Sequence, residues 1–409
     1  MSRDDDTIAA KLDAARSPPW LAECAHEDGK PLANLANAMI ALRGAPELRD
    51  AIARDEMRVD NMLMQALPGT REAAQLFTPR PVTDIDIARI QELLQLAGLR
   101  RLSRDVLRQA IEMRGHERAF HQVRDYLEHL EWDLKPRLDH WLPRYLGAAP
   151  SPYIAEVGTM FLIAMVARVM RPGCKADYML VLEGPQGVGK SSACRILGGD
   201  WYSDNLPSLE TGKEAAQHLR GLWLVEVGEL AAFGRSESAI LKSFITRQAE
   251  RYRPPHGHLE VTEPRQCVLI GTVNDRLALR DDTGGRRFWP VPVGSIDLDA
   301  LAEDRDQLFA EALHMYREGR KCYPDRDFEA EHIKPVQADR LEGDALEEVV
   351  ADLLRHTSRT TTAELIQRLG EENPLRVPRD AARRIAAILQ RQGWACRKTG
   401  GRMLWECVR

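Results

Sequence analysis

No C-x-x-C pair occurs in this chain, and its seven cysteines (24, 174, 194, 267, 322, 396 and 407) are scattered and odd in number. That pattern excludes a disulfide framework and argues against a zinc site; it predicts reduced thiols in the cytoplasm of a bacterial host cell. A run of about 18 apolar residues is also missing, so no membrane span or membrane partner is expected. The longest apolar stretch, Met160 to Met170, is interrupted by Arg168. The first residues, MSRDDDTIAAKLDAARS, are acidic and polar, unlike a signal peptide. There are no repeats and no low-complexity tract. Residues 1–150 hold no alternating carboxylate pair on a strand and no Cys/His cluster, which excludes polymerase or primase chemistry there. A strong basic excess is absent as well. The net charge of −5 carries no global sign of nucleic-acid binding, so charge has to be read segment by segment.

What is present is an ordinary globular composition, 44% hydrophobic and 29% charged over 409 residues. The length suits about two or three domains. The most informative stretch is VLEGPQGVGKSS, residues 181–192. Gly184, Pro185, Gln186, Gly187, Val188, Gly189, Lys190 and Ser191 fit G-x-x-x-x-G-K-[ST] at every fixed position, with Ser192 beside them. The apolar run Tyr178 to Leu182 precedes the loop and reads as a buried strand, and SSACRIL after it reads as a helix. Strand, glycine loop, helix is the context of a P-loop. Its glycines let backbone N–H groups turn toward phosphate oxygens, and the helix N-terminus adds to that field. Lys190 would meet the β- and γ-phosphates of ATP, and the Ser191 hydroxyl would ligate Mg²⁺.

A hydrolytic P-loop protein also needs an acid to hold Mg²⁺ and a base to orient water. LWLVEVGELAAF supplies Glu226 and Glu229 at the end of an apolar strand, 36 and 39 residues after Lys190. Glu229, at the strand mouth next to Gly228, is the favoured metal ligand. The bland alternative makes Glu226 an edge-strand surface residue and Glu229 an N-terminal helix residue. VLIGTVND ends a second strand in Asn274, placed as a sensor of the γ-phosphate and attacking water. DDTGGRRFWPV carries Arg286 and Arg287. In an extended stretch they would point to opposite faces, one free to reach across a subunit interface toward phosphoryl charge. Both could equally be structural. RYRPPHGHLEV reads as a β-hairpin with its tip at Pro254–His258; its Arg251, Arg253, His256 and His258 suit a nucleic-acid backbone. A solvated loop is the alternative.

Residues 82–115 read as two amphipathic helices joined at Gly98–Leu102, with Ser103 as an N-cap. Residues 124–147 continue with helical spacing, broken by Pro136 and Pro143. At the other end, TTTAELIQRLG, PRDAARRIAAILQRQGW and ACRKTGGRMLWECV read as helix, helix and hairpin, the outline of a winged helix. Residues 355–409 hold 12 Lys/Arg against 5 Asp/Glu. Arg383, Arg384 and Arg391 would lie along the second helix, with Arg397, Lys398 and Arg402 on the wing, a duplex-DNA reader. The alternative is a basic packing or subunit-contact module.

The order of these parts resembles a superfamily 3 helicase of the AAA+ class. More closely, KADYMLVLEGPQGVGKSS, QHLRGLWLVEVGEL, RYRPPHGH, EPRQCVLIGTVN and DDTGGRRFWPV resemble the virulence-associated protein E family of phages and genomic islands. The resemblance covers about 151–340 strongly and the flanks less so. It implies that Gly184 to Ser191 form the Walker A loop, Glu226 and Glu229 the Walker B region and Asn274 the sensor. It likewise implies that Arg286 and Arg287 are arginine fingers and that Arg253 to His258 is a DNA-contacting hairpin. Superfamily 3 proteins commonly place two acids side by side; here Val227 and Gly228 separate them, so the division of labour stays open.

The resulting expectation is an α/β chain: a helical N-terminal domain over 1–150, serving oligomerisation or partner binding; an AAA+ P-loop core over 151–325; a connector over 326–345; and a winged-helix-like module over 346–409. Its expected function is an ATP- and Mg²⁺-dependent DNA helicase motor working as a ring, a hexamer, on single-stranded and duplex DNA, with a separate primase as a further partner. The alternatives are an AAA+ switch or loader that remodels without unwinding, and a nucleotide-dependent DNA-binding regulator.

Overall fold

The computed structural model describes residues 18–69, 76–209, 212–228, 230, 235–253, 260–275, 285–340, 347–355, 357–372, 381–399 and 402–407. Its centre is a five-stranded, fully parallel sheet: β1 Met179–Glu183, β2 Tyr202–Ser203, β3 Leu224–Val227, β4 Val268–Val273 and β5 Phe288–Pro292, in spatial order β5-β1-β4-β3-β2. Every residue of β1, β3 and β4 is buried. That is why these strands are continuous apolar runs rather than alternating ones. Register is set pairwise, Thr272 of β4 beside Leu182 of β1 and Ile270 beside Glu226 of β3.

The helix α1, Pro152–Met170, starts with proline in its first turn and Ser151 as its cap, whose Oγ accepts from Ile154 N at 3.1 Å. It is long and apolar enough to cross a membrane, but 83% of that window is buried inside the fold. Trp223 Nε1 donates to Met165 O at 2.9 Å, and Tyr153 OH to Pro290 O at 3.1 Å, fastening α1 to the sheet. Helices α2, Lys190–Gly198, α3, Arg235–Ile245, and α4, Leu298–Arg317, complete the layers.

Four expectations change. Residues 1–150 are not simply helical. Ile52–Asp55, Asp60–Leu63, Arg80–Pro81 and Ala119–Phe120 form a four-stranded sheet beside the helices Asp84–Leu96 and Arg104–Glu117. The strands are two to four residues long and pair across as many as 65 positions (Arg54 with Ala119), so no local period betrays them. Ser103 does cap the second helix, accepting from Val106 N. Pro143 does not break a helix. It sits third in Trp141–Leu146, in the first turn, where its missing N–H has no intrahelical partner to lose.

The boundary expected at 150 falls inside the main core. Val123, Leu127, Trp141 and Tyr145 pack in the same buried cluster as α1 and the sheet, apart from a second cluster running from Trp20 to Ile111. The buried Glu311 of α4 accepts from Arg137 N and Leu138 N at 2.6 and 3.1 Å. Nor are residues 326–337 a connector, because Ile333 is in that core and Gln337 Nε2 donates to Phe288 O at 2.9 Å.

A second compact unit takes in the described residues from Ala338 onward. Helices Glu347–Leu354, Thr362–Glu372 and Ala381–Arg391 enclose Leu365, Ile385 and Ile388 against Trp394 and Trp405 of the hairpin Trp394–Thr399/Arg402–Cys407. The short strand Arg359–Thr360 adds a third, antiparallel neighbour.

Candidate functional site

The C-terminal ends of β1, β3 and β4 carry the candidate residues. From β1 the chain leaves toward the β2 edge, and from the adjacent β4 it leaves toward β5. The crevice between β1 and β4 is therefore the topological switch point, where open parallel sheets bind ligands. Loop 184–189 crosses it. Gly187 and Gly189 have φ of +84° and +100°, a region that side chains with a Cβ avoid. A Cβ on Gly184 would lie 2.9 Å from Val293 Cγ2.

Lys190 opens α2 and is buried. Its Nζ donates to Gly184 O at 2.7 Å, Pro185 O at 2.9 Å and Asn274 Oδ1 at 3.3 Å. Burial lowers its pKa, opposed by the Glu226 charge. The ammonium thus folds back on its own loop, using the carbonyls in place of an anion.

Glu226 is only 3% exposed, on an inner strand and not an edge. Its Oε1 accepts from Ser191 Oγ and Thr272 Oγ1, both at 2.7 Å, and its Oε2 accepts from Tyr202 OH. Burial, then this bond, pushes the Tyr202 pKa well up. A carboxylate held against the Ser191 hydroxyl, an ammonium alongside and an amide opposite make a donor set that fits a magnesium triphosphate. Lys190 would hold phosphate, and Ser191 and Glu226 would hold the metal. Glu229, His256 and His258 lie outside the described residues, so the structure joins Glu226, Ser191, Lys190 and Asn274 and leaves the role expected of Glu229 open.

The remaining candidates lie elsewhere. Arg286 and Arg287 occupy a 3₁₀ turn, Gly285–Arg287, not an extended stretch, so they are not an opposite-facing pair. Arg286 is exposed; Arg287 is half-buried, with Nε unpartnered among the described residues. The turn feeds β5, whose Phe288 pairs with Met179 at the start of β1. It is at the opposite end of the sheet from loop 184–189, roughly 16 Å away along a five-residue strand.

The hairpin Ala249–Tyr252/Val261–Pro264 leaves from that same end, just before β4. Arg251 is exposed and pairs with Glu260 at 2.7 Å, and Arg253 is exposed beyond it. A cavity of about 600 Å³ along this hairpin is lined by Lys213, Arg247, Arg251 and Arg253. Beside the hairpin root, another of about 740 Å³ is lined by Arg171, Lys175 and Tyr178. Sequence reading gave no role to Lys175, Lys213 and Arg247, and it missed Thr272 and Tyr202, whose partnership with Glu226 needs the sheet order. In the C-terminal unit, Arg397 and Lys398 are exposed on one strand, Arg397 lying 3.9 Å from Glu406. Arg384 is half-buried on the helix Ala381–Arg391, and the Arg383 side chain lies outside the described residues.

Among solved structures, the apo structure of the NrS-1 C terminal region (305-718) is 15% identical over 69% of this chain and 78% of that one, with a TM-score of 0.38. An A form apo structure of the same region is 14% identical over the same shares, with a TM-score of 0.36. No curated protein matches this chain. The virulence-associated protein E-like domain matches residues 127–342, more than half of the chain. With the sheet, the glycine loop, the basic hairpin and the arginine turn all inside that span, the chain belongs to the virulence-associated protein E-like family.

Proposed function

We propose that this protein is an ATP- and Mg²⁺-dependent DNA helicase motor that works as a ring in the replication of a phage or mobile element. The observation that carries the reading is the Lys190–Ser191–Glu226–Asn274 cluster at the switch point of a parallel sheet. Loop 184–189 is a P-loop in this reading. Lys190 would exchange its loop carbonyls for phosphate oxygens, Ser191 and Glu226 would hold Mg²⁺, and Asn274 would orient the attacking water. The bound metal supplies charge neutralisation on the phosphoryl oxygens.

Arg286 and Arg287, at the far end of the sheet, are too distant to serve their own chain's loop. Head-to-tail assembly lets them serve a neighbour's, with Lys175 adding charge on the same face. The hairpin cations Arg251 and Arg253, joined by Lys213 and Arg247, grip the phosphate backbone of one strand. The C-terminal unit, whose described residues form three helices and a three-stranded sheet, suits a winged-helix reader of duplex DNA, presenting Arg397 and Lys398.

The test is ATP turnover with and without single-stranded DNA, with Lys190→Ala as the blank, followed by strand separation on a forked duplex. DNA-stimulated turnover lost in the variant, together with unwinding, is expected. Turnover indifferent to DNA would turn the reading into a remodelling switch, and no turnover with intact ATP binding into a regulator.

A further inference from the structure

Arg168, near the C-terminal end of α1, is 1% exposed. Its Nη2 donates to Ala176 O at 3.5 Å and Arg247 O at 3.3 Å, while Nε and Nη1 are buried without a partner among the described residues. The Glu250 carboxylate, an acid of the same region, is taken by the buried Arg265. Burial therefore depresses the Arg168 pKa. A guanidinium has five donors, and leaving most of them idle in a core is costly. An apolar side chain of similar size would fit α1 better on stability grounds alone.

What Arg168 connects explains its place. Ala176 belongs to the 171–177 loop, which enters β1 and lines the larger cavity with Arg171 and Lys175. Arg247 leads into the first hairpin strand. The same loop meets the other hairpin strand, because Gly173 N donates to Arg265 O at 2.9 Å, and Arg265 N to Gln248 O at 2.8 Å. Gln248 is itself part of the cavity wall, as is Tyr178, which stacks on Trp289 and feels the charges of Arg286 and Arg287. Two long hydrogen bonds and idle donors let the guanidinium follow either carbonyl when its segment shifts.

We propose that Arg168 is a positioning residue that couples the 171–177 loop to the hairpin root, so that a phosphate group of a neighbouring copy's nucleotide at the cavity alters how the hairpin holds DNA. The proposal rests on the motor reading above. It is tested in the full chain with Arg168→Met and Arg168→Lys. Three quantities are measured: melting temperature, anisotropy of a labelled oligothymidylate with and without a non-hydrolysable ATP analogue, and the ratio of DNA-stimulated to basal turnover.

Arg168→Met is expected to melt no lower than the natural protein and to keep basal turnover. Its nucleotide-dependent change in DNA affinity and its stimulation ratio should both fall toward onefold, with partial recovery in Arg168→Lys. Unchanged coupling in Arg168→Met overturns the proposal alone. So does a loss of coupling, basal turnover and melting temperature together in both variants, which marks a merely structural role. A natural protein whose nucleotide and DNA affinities are independent overturns this proposal and the motor reading with it.

Discussion

Two defective forms of this protein should repair each other. Lys190→Ala disables the loop at the C-terminal end of β1. Arg286→Ala/Arg287→Ala disables the turn that feeds β5, and the pairing of Phe288 with Met179 puts it at the other end of the sheet. The two lesions are roughly 16 Å apart in one chain, beyond the reach of an arginine side chain held in a turn. An arginine supplied in trans is worth about 10³-fold or more in turnover, so each variant alone should be nearly inactive. In a head-to-tail ring mixed at random from equal amounts, a site works when an intact loop meets an intact turn. That happens at about a quarter of the interfaces. The assay is ATP turnover of each variant alone and of the 1:1 mixture, with subunit exchange confirmed by mass. Recovery of up to about a quarter of natural turnover is expected, less if neighbouring sites depend on one another. No recovery in a mixture shown to have exchanged subunits would refute the reasoning, since an arginine serving its own chain leaves every subunit with a lesion.

The remaining predictions concern the cluster and its surroundings. Tyr202→Phe removes a hydroxyl donated to a buried carboxylate and should lower stability by about 1.5–3 kcal/mol, read as a shift in denaturant midpoint with unchanged slope; an unchanged midpoint would mean that the bond is not made. His218, whose Nε2 lies 2.9 Å from Ser203 Oγ, has its pKa lowered by burial from 6.5. The unfolded chain takes up that proton first, so stability should fall as pH drops below 6.5 toward the folded value and be flat above it. His218→Gln should lessen that slope in melts between about pH 5 and 8, and an equal slope in both proteins would count against it.

Much of the centre of this fold is readable from the sequence because parallel strands buried on both faces are plain apolar runs. Four of the five strands lie within the stretches YMLVL(E), GLWLVEV, QCVLIGTVN and RRFWPVPVG. The fifth, Tyr202–Ser203, has two residues and no pattern to read, yet it carries the hydroxyl that holds Glu226. The glycine loop is legible because its chemistry fixes spacing. The meeting of Glu226 with Ser191 is not, because it needs the sheet order, and Glu229 lies outside the described residues. The N-terminal sheet is not legible for the opposite reason: its strands are too short to alternate, and the pairing of Arg54 with Ala119 joins segments far apart in the chain.

In the ring proposed above, the charges at the two ends of the sheet would face each other across each interface. At one end, the Lys190 ammonium is satisfied by loop carbonyls and an amide, with the Glu226 charge nearby. At the other, Arg286 is exposed on the turn before β5, and Arg171 and Lys175, with Asp177, line a cavity large enough to admit a polar group from outside. A nucleotide bound at the first end brings more negative charge than Lys190 and one Mg²⁺ can neutralise. The second end holds cations that no short path brings to it. A two-fold pair would match unlike ends only between two subunits. A head-to-tail contact brings the two ends into register at every interface, and it closes without free ends only as a ring. The hairpins spring from the cationic end of every sheet, so a ring would set one beside each shared site, and the 171–177 loop is the stretch of chain that touches both.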